Sequence, residues 1–270
     1  MHTPAPDVIV IGGGISGTAT AYELALRGVS VTLLERGEIA SMASGWTLAG
    51  VRQSGRHVAE LPLAVAAVRR WEGLAEELGA DVEYRQDGNL RLALSDEDVP
   101  VIQKVVEDGT AVGLPIEYID GADAVRKIAP VLTEAVRGAA YCATDGHANN
   151  HLAVKAYADA AERHGATIRT GVHVEALQVE GGRVTGVVTD DGVIPAGTVV
   201  VTAGIYTPSL LSPLGLELPM RITLCPVVQT EAVEPMMRPV LGIASGEFAG
   251  RQEASGRFRF IGMSESWSDD

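Results

Sequence analysis

Apolar residues dominate two short runs near the start of the chain, Val8–Ile11 and Val29–Leu34. Between them, Ser16–Arg27 carries apolar residues at helical spacing, and Gly28 ends that pattern. A strand, a helix and a second strand in this order predict a βαβ unit. A glycine-rich turn joins the first strand to the helix, with the sequence Gly12-Gly13-Gly14-Ile15-Ser16-Gly17.

Helical and alternating patterns then follow one another along the chain. Helices are predicted at His57–Leu78, from Ser95 to Gly113, and at His151–His164, with a short one that Asp120 or Asp123 caps and that ends near Pro130. Strands are predicted at Val82–Tyr84, Asn89–Leu94, Ile116–Ile119, Thr167–Thr170, Val172–Val179, Arg183–Thr189, Val193–Ala196, Thr198–Thr202, Leu224–Ala232 and Phe258–Met263.

Two sheets account for these strands. Thr198–Thr202 is apolar enough to return to the first sheet, whereas the strands beyond Pro219 and those within residues 82–141 suit an antiparallel sheet. The predicted fold class is α/β, with a Rossmann-like doubly wound nucleotide-binding domain interleaved with an antiparallel-sheet α+β domain. The expected boundaries assign residues 1–81 and 145–218 to the nucleotide-binding domain, and residues 82–144 and 219–270 to the other.

The glycine positions suit the chemistry of a dinucleotide site. Gly12 turns the chain out of a buried strand, Gly14 lets the backbone approach a pyrophosphate, and Gly17 lets the helix lie close to the sheet. The diphosphate then lies on N–H groups at the start of a helix. Glu35 follows at roughly the 20-residue spacing of an acid that accepts hydrogen bonds from the adenosine ribose.

The charge balance narrows the range of partners. Of the 270 residues, 21 are Lys or Arg and 35 are Asp or Glu, and the net charge of −14 disfavours nucleic acids and anionic membranes. No apolar run approaches the ~18 residues of a membrane span, and no targeting signal is found. Cys142 and Cys225 offer neither metal-ligand spacing nor a disulfide framework, which fits a reducing cytoplasm. His147 and His151 fall across a turn and a helix start, so no metal site is predicted.

Residues 37–56 are rich in small residues and show neither the helical nor the strand period of apolar residues. This pattern predicts a long ordered loop, and loops of this length are usually functional.

The chain resembles the FAD-dependent D-amino acid oxidase superfamily in a series of motifs that occur in one order: Gly12–Gly17, Glu35-Arg36, Ala43–Arg52, Asp145–Asn149 and Val199–Gly204. Within it, the chain is most similar to the branch of sarcosine oxidase β-subunit and glycine oxidase, which includes flavin subunits of amino-acid and opine dehydrogenases. The resemblance covers nearly the whole chain and implies an FAD domain interleaved with a substrate domain.

The resemblance implies a set of contacts to the adenosine diphosphate half of FAD. The ribose would be held by Glu35, with Arg36 beside the adenosine, and the backbone of Val174 would read the adenine edge. The pyrophosphate would lie on the turn residues Gly12, Gly14, Ile15, Ser16 and Gly17.

Further contacts are implied for the flavin half. Ala43 and Ser44 would meet the diphosphate or the ribityl chain, Ala49-Gly50-Val51 would pass the isoalloxazine, and Ala203-Gly204 would close over the cofactor. Trp46 could stack on the ring or pack within its own loop. FAD is expected to be bound noncovalently.

The implied reaction is oxidation of a C–N bond in an amino acid or secondary amine of the N-methyl or imino acid type. The substrate Cα–H gives a hydride to flavin N5, and the imine is then hydrolysed. Dioxygen or a partner electron-transfer subunit takes the electrons. Arg52 is the candidate catalytic residue, because a guanidinium in this loop could hold a substrate carboxylate; otherwise it is solvated or pairs with an acid such as Glu60.

Three alternatives stay open. The chain could be a flavin subunit of a heteromeric amino-acid or opine dehydrogenase, or an NAD(P)-dependent dehydrogenase with the same fingerprint. It could also be an FAD-binding chain that is inactive alone, because the family usually returns to the FAD domain with a glycine-containing segment that this chain, ending at Asp270, lacks.

Overall fold

The structure is a computed structural model that describes residues 5–262 and 265–266. The described helices are α1 (Ile15–Leu26), α2 (Leu61–Leu78), α3 (Asp98–Ala111), α4 (Ala122–Ile128), α5 (Asn150–Arg163) and α6 (Thr207–Leu211), with 3₁₀ turns at Gly204–Tyr206 and Ser212–Leu214. The described strands are β1 (Val8–Ile11), β2 (Val31–Leu34), β3 (Gly50–Val51), β4 (Asn89–Ala93), β5 (Ile116–Asp120), β6 (Gly138–Cys142), β7 (Gly146–His147), β8 (Thr167–Arg169), β9 (Val174–Glu180), β10 (Arg183–Thr189), β11 (Gly192–Pro195), β12 (Thr198–Val201), β13 (Thr223–Leu224), β14 (Val227–Ala232), β15 (Val240–Ile243), β16 (Ala249–Gln252), β17 (Arg257–Ile261) and β18 (Glu265–Ser266).

Contacts divide the chain into two compact units. Unit 1 comprises Met1–Thr47, Leu78–Ala80 and Asn150–Ile222, and unit 2 comprises Leu48–Glu77, Asp81–Asn149 and Thr223–Asp270. Residues 48–77 and 145–149, which the expected boundaries assign to the nucleotide-binding domain, belong to unit 2. For α2 the reason is its apolar face, where Leu61 lies in one core with Ile102 and where Val68 lies in another with Val51.

Unit 1 is built on a parallel sheet in the order β12-β1-β2-β8, which is the strand order of a Rossmann fold. Helices α1 and α5 pack together, with the rings of Tyr22 and Tyr157 edge to face at 5.8 Å. The antiparallel meander β9-β10-β11 shares a core with the sheet, in which Ile9, Leu34 and Val187 are buried. The fold class is thereby confirmed, including the predicted return of Thr198–Thr202 beside β1.

The turn after β1 depends on two glycines. Gly12 has φ +110°, and a Cβ there would lie 2.6 Å from the carbonyl oxygen of Thr202. A Cβ at Gly17 would lie 1.9 Å from the carbonyl oxygen of Gly12, so α1 starts closer to the turn than a side chain would permit. The N–H and hydroxyl groups of Thr202 both donate to Ile11 O, at 2.9 and 2.7 Å, and fix the end of β12 to this turn.

Unit 2 contains a seven-stranded sheet in the order β14-β17-β16-β15-β4-β6-β5. Neighbouring strands are antiparallel except β15 and β4, which pair in parallel from Val240↔Asn89 to Ile243↔Leu92. Helix α3 covers one part of the sheet through Ile102, and Val125 of α4 packs against another. The predicted antiparallel sheet is present, with one parallel pairing at its centre.

Several predicted elements differ from the structure. Val82–Tyr84 is not a strand; Glu83 has φ 51°, and only the neighbouring Arg85 makes a single antiparallel bridge, with His147. Neither Asp120 nor Asp123 caps α4, because Gly121 occupies the N-cap position with φ 75° and no side-chain hydrogen bond is made there. Helix α2 begins at Leu61 rather than at His57.

Three strands of the large sheet, β6, β15 and β16, were not predicted. Their sequences are short and rich in Gly and Ala, and β16 contains two polar residues that are buried, Arg251 and Gln252. The predicted strand Phe258–Met263 corresponds to β17, and Met263 lies outside the described residues.

Candidate functional site

A cavity of about 390 Å³ opens in unit 1 where β1, β2 and β12 end. The carboxyl edge of a parallel sheet is where ligands bind in folds of this kind. Nine of the residues implied as cofactor contacts line this cavity: Gly12, Gly14, Glu35, Arg36, Ala43, Ser44, Val174, Ala203 and Gly204. The strand order therefore brings together residues from positions 12 to 204 of the chain.

Glu35 is held in place by its own hydrogen bonds. Its Oε2 accepts from Gly13 N at 2.6 Å, and its Oε1 accepts from Gly37 N at 2.7 Å. Each carboxylate oxygen retains acceptor capacity beyond these bonds, which is what a ribose diol requires. The segment after β2 and the turn after β1 are thereby joined at the cavity wall.

The start of α1 is completed by the loop that follows. Gly14 is the N-cap residue and has no side chain to bond the first helical N–H, so Ser44 supplies the acceptor instead, with Ile15 N donating to Ser44 Oγ at 3.1 Å. Asn150 Nδ2 donates to the carbonyl oxygens of Ser44, at 3.3 Å, and Gly45. Two contacts therefore fix the loop at Ser44, which places its hydroxyl beside the helix start.

Trp46 lies in the same loop and is 63% exposed. Its Nε1 donates to Ser41 O at 3.2 Å, and its ring lies edge to face with His151 at 6.3 Å. These contacts are with its own loop and with α5.

The residues around the cavity fit the adenosine diphosphate half of FAD. Side chains at Gly12 and Gly17 would collide with backbone, the N-terminus of α1 offers N–H groups and a positive dipole end to a diphosphate, and Glu35 offers acceptors to a ribose. Thr202 and Tyr206 also line the cavity, although the sequence analysis assigned a cofactor contact to neither of them. Thr202 could have been found from its position directly before Ala203-Gly204.

The loop implied to pass the isoalloxazine lies in unit 2. Strand β3 pairs with β7, Gly50 opposite His147 and Val51 opposite Gly146. Ala49 has φ 53°, an uncommon conformation for a residue with a side chain, and such strain is concentrated at functional sites. A Cβ at Gly50 would meet none of the described atoms within 4 Å, so the backbone there is open to a ligand.

Arg52 follows this strand and is half-buried. Its Nη1 donates to Ser54 O at 2.7 Å. Burial, and then the charges of Arg56 and Arg91, lower the pKa of Arg52. Arg91, which the sequence analysis did not single out, also has its pKa lowered by burial. The charges of Arg56 and Arg91 thus act on Arg52 within unit 2, and the carboxylates of Asp145 and Glu60 partly offset them.

Asp145 holds the segment after Arg52. Its carboxylate is fully buried and accepts from Gln53 N at 2.9 Å, Ser54 N at 3.2 Å and the Ser54 hydroxyl. Three donors compensate the cost of burying the charge. The predicted motif that begins at Asp145 therefore anchors the loop that carries Arg52.

Arg251 anchors the other end of that loop. Its side chain is almost completely buried, Nε donates to Leu48 O, Nη1 lies 3.1 Å from His147 Nδ1, and Nη2 donates to Glu253 Oε1 at 3.2 Å. Burial lowers the pKa of Arg251 to about 10, which leaves it charged at neutral pH. Burial, with the charges of Arg251 and Arg85, lowers the pKa of His147 to about 3, so its neutral ring accepts from Arg251.

Residues 7–270 match the family of FAD dependent oxidoreductases known as DAO. The chain belongs to this family. It is 30% identical over 253 residues to a glycine oxidase of Pseudomonas putida, covering 90% of this chain and 67% of that enzyme. It is 30% identical over 240 residues to sarcosine oxidase subunit beta of an Arthrobacter species, covering 85% of this chain and 58% of that subunit.

A solved structure of L-proline dehydrogenase from P. horikoshii has the same fold, with a TM-score of 0.91 and 27% identity over the whole of this chain and 73% of that one. The chain spans 27% of one curated relative and 62% of another. The family match favours FAD over the nicotinamide alternative.

Two further observations concern the described part of the chain. None of its helices combines the length and the apolar character needed to cross a membrane. Residues 5–262 also contain no cluster of three or more His, Cys, Asp or Glu side chains suited to a metal ion.

The buried His147 predicts an acid-dependent loss of stability. Its pKa is about 3 in the folded chain and about 6.5 when unfolded, so the unfolded state binds the extra proton and the free energy of unfolding falls as the pH drops below 6.5. Between these pKa values the loss approaches about 1.4 kcal/mol per pH unit. His147→Asn keeps an acceptor for Arg251 and should remove this slope in urea unfolding between pH 7 and pH 4.

The matched control is His173→Asn. His173 is 55% exposed, so this variant should keep the pH dependence of the native chain. Parallel profiles for the native chain and His147→Asn would contradict the assignment of a neutral, buried His147.

Proposed function

We propose that this chain provides the FAD site and part of the substrate site of an oxidoreductase that oxidises the C–N bond of an amino acid or a secondary amine. The observation that carries the proposal is the Glu35 carboxylate, fixed by Gly13 N and Gly37 N at a cavity whose turn has no room for side chains. Membership of the FAD dependent oxidoreductase family supports the cofactor. Relatives named for glycine, sarcosine and L-proline support the substrate class.

FAD, held by the residues around the cavity, would supply a two-electron acceptor for oxidation of the substrate's C–N bond. The protein's task is to orient the substrate and to adjust its charge. In this proposal Arg52 binds the substrate carboxylate. The cluster of Arg52, Arg56 and Arg91 also disfavours a protonated amine nearby, and a neutral amine is the form that can be oxidised.

A second candidate is a flavin subunit that passes electrons to a partner protein instead of dioxygen. The similarity to a protein named as subunit beta of sarcosine oxidase favours it. Rapid reoxidation of the reduced protein by dioxygen supports the oxidase, and slow reoxidation supports the electron-transferring subunit.

The substrate class is tested by anaerobic bleaching of the flavin absorbance. We expect N-methyl amino acids, proline or free amino acids to reduce the bound flavin, and simple carboxylic acids without an amine to leave it oxidised. If the native protein, purified from its source at its full length, carries FAD and none of these amines reduces it, the proposed substrate class is wrong.

The ribose role of Glu35 predicts a loss of FAD affinity in Glu35→Arg. The change removes hydrogen bonds to a charged group worth about 1.5–3 kcal/mol, which corresponds to about a tenfold to hundredfold higher dissociation constant. Isothermal titration of the apoprotein with FAD measures it. The control is Glu38→Arg, since Glu38 is exposed and three residues away, and it should bind FAD as the native chain does. Equal affinities for both variants would contradict the assignment.

The carboxylate role of Arg52 predicts weaker substrate binding in Arg52→Lys. Lysine keeps the charge but loses the planar fork, so the substrate concentration for half-maximal anaerobic reduction should rise about tenfold, the equivalent of one charge-assisted hydrogen bond. FAD content should not change. The control is Arg56→Lys, which keeps the positive charge of this exposed residue 3.4 Å from Glu60. Because Arg56 acts through its charge and is not proposed to bind the carboxylate, half-saturation should be unchanged. If Arg52→Lys also leaves half-saturation unchanged, Arg52 has only a structural role.

A further inference from the structure

Arg36 and Tyr206 form a contact within unit 1 that none of the expected cofactor roles uses. The guanidinium carbon of Arg36 lies 3.7 Å from the centroid of the Tyr206 ring. At this distance the cation is attracted to the face of the ring. Tyr206 was not among the predicted site residues, and both side chains line the cavity at the carboxyl edge of the sheet.

The strand order places Arg36 and Tyr206 on opposite sides of the glycine turn. Arg36 follows β2 and Tyr206 follows β12, and these strands flank β1 on its two sides. All three strands are parallel, so the segments that follow them leave the sheet at the same edge. The turn Gly12–Gly14 follows β1 and therefore comes between the two segments that the contact joins.

Hydrogen bonds fix the backbone near both Arg36 and Tyr206. Glu35 accepts hydrogen bonds from Gly13 N and Gly37 N, which hold the chain immediately before and after Arg36. Tyr206 N donates to Ala203 O at 3.1 Å, and Ser209 Oγ donates to Tyr206 O at 2.7 Å. Both side chains are exposed to solvent while lining the cavity, so they stand at its mouth.

We propose that Arg36 and Tyr206 form a strap across the mouth of the cavity and that this strap sets the rate at which FAD is exchanged. The inference rests on the proposed function for its ligand. The strap opens by rotation of the Arg36 side chain away from the ring, with no change in the fixed backbone. A strap of this kind slows association and dissociation together, whereas a direct contact with FAD slows dissociation alone.

The expected effect follows from the strength of an exposed cation–π contact, which corresponds to about a two- to fivefold change in rate. Tyr206→Leu keeps apolar bulk but removes the ring. We expect it to raise both the association and the dissociation rate constants of FAD by this factor and to leave the dissociation constant nearly unchanged. Tyr206→Phe keeps the ring and should exchange FAD at the native rates.

Stopped-flow measurement of FAD fluorescence during binding to the apoprotein, and during displacement from the holoprotein, gives both rate constants without turnover. Arg36→Gln should raise the association rate constant by the same factor as Tyr206→Leu, and the double variant should associate no faster than either single variant, because one contact is lost in each case. Dissociation is compared between Tyr206→Leu and Tyr206→Phe alone, since Arg36 is also expected beside the adenosine. Additive effects would overturn the strap.

Other outcomes also overturn it. Unchanged rates in Tyr206→Leu show that the contact does not limit exchange. A faster dissociation with an unchanged association rate shows that Tyr206 binds FAD directly. A native protein that binds no FAD overturns the proposed function and the strap with it, whereas FAD binding with native rates in Tyr206→Leu overturns the strap alone.

Discussion

The two hydrogen bonds to the Glu35 carboxylate connect most of what defines the cavity. One comes from the turn after β1 and the other from the segment after β2, so a single side chain sets the distance between the ends of neighbouring strands. The absence of a Cβ at Gly17 lets α1 begin against the same turn. Because the carboxylate is held by backbone N–H groups, its position does not depend on the rotamers of flexible neighbours.

In unit 2, buried charged side chains fix the position of a loop. Arg251 reaches the carbonyl oxygen of Leu48, and Asp145 accepts from the backbone of Gln53 and Ser54, so the loop between them is fixed at both ends. Burying such groups is costly unless every one of them is paired. The hydrogen bonds to Asp145 and from Arg251 offset this cost, and they hold the loop at both ends.

Elements with a strong local pattern were predicted well from the sequence. The turn from Gly12 to Gly17, α5 and the meander β9–β11 have periodicity and turn residues within a few positions of one another. Strand β16 was missed because Arg251 and Gln252 resemble loop residues, and because Arg251 is paired with Leu48 and His147, which lie far away in the sequence. Val82–Tyr84 has the alternation of a strand, but Glu83 takes a left-handed conformation that breaks it.

The candidate site also contains residues that a local motif indicates and residues that it does not. Nine residues from recognisable motifs line the cavity, whereas Tyr206 and Arg91 interact with neighbours that only the folded chain brings close. The residues next to Tyr206 in the sequence do not indicate that the cation of Arg36 lies against its ring. Contacts between side chains far apart in the sequence depend on the order of the strands in the sheet. A single sequence does not give that order directly.

The parallel pairing of β15 with β4 has a consequence for synthesis of the chain. Strands β4, β5 and β6 are complete by residue 142, but the second neighbour of β4 is made only after residue 240, once much of unit 1 has emerged. Until then β4 is an edge strand with unpaired backbone groups, and its buried sequence Asn-Leu-Arg-Leu-Ala faces other chains in the cell. During synthesis, the centre of this sheet is therefore completed last, after its first three strands have been made.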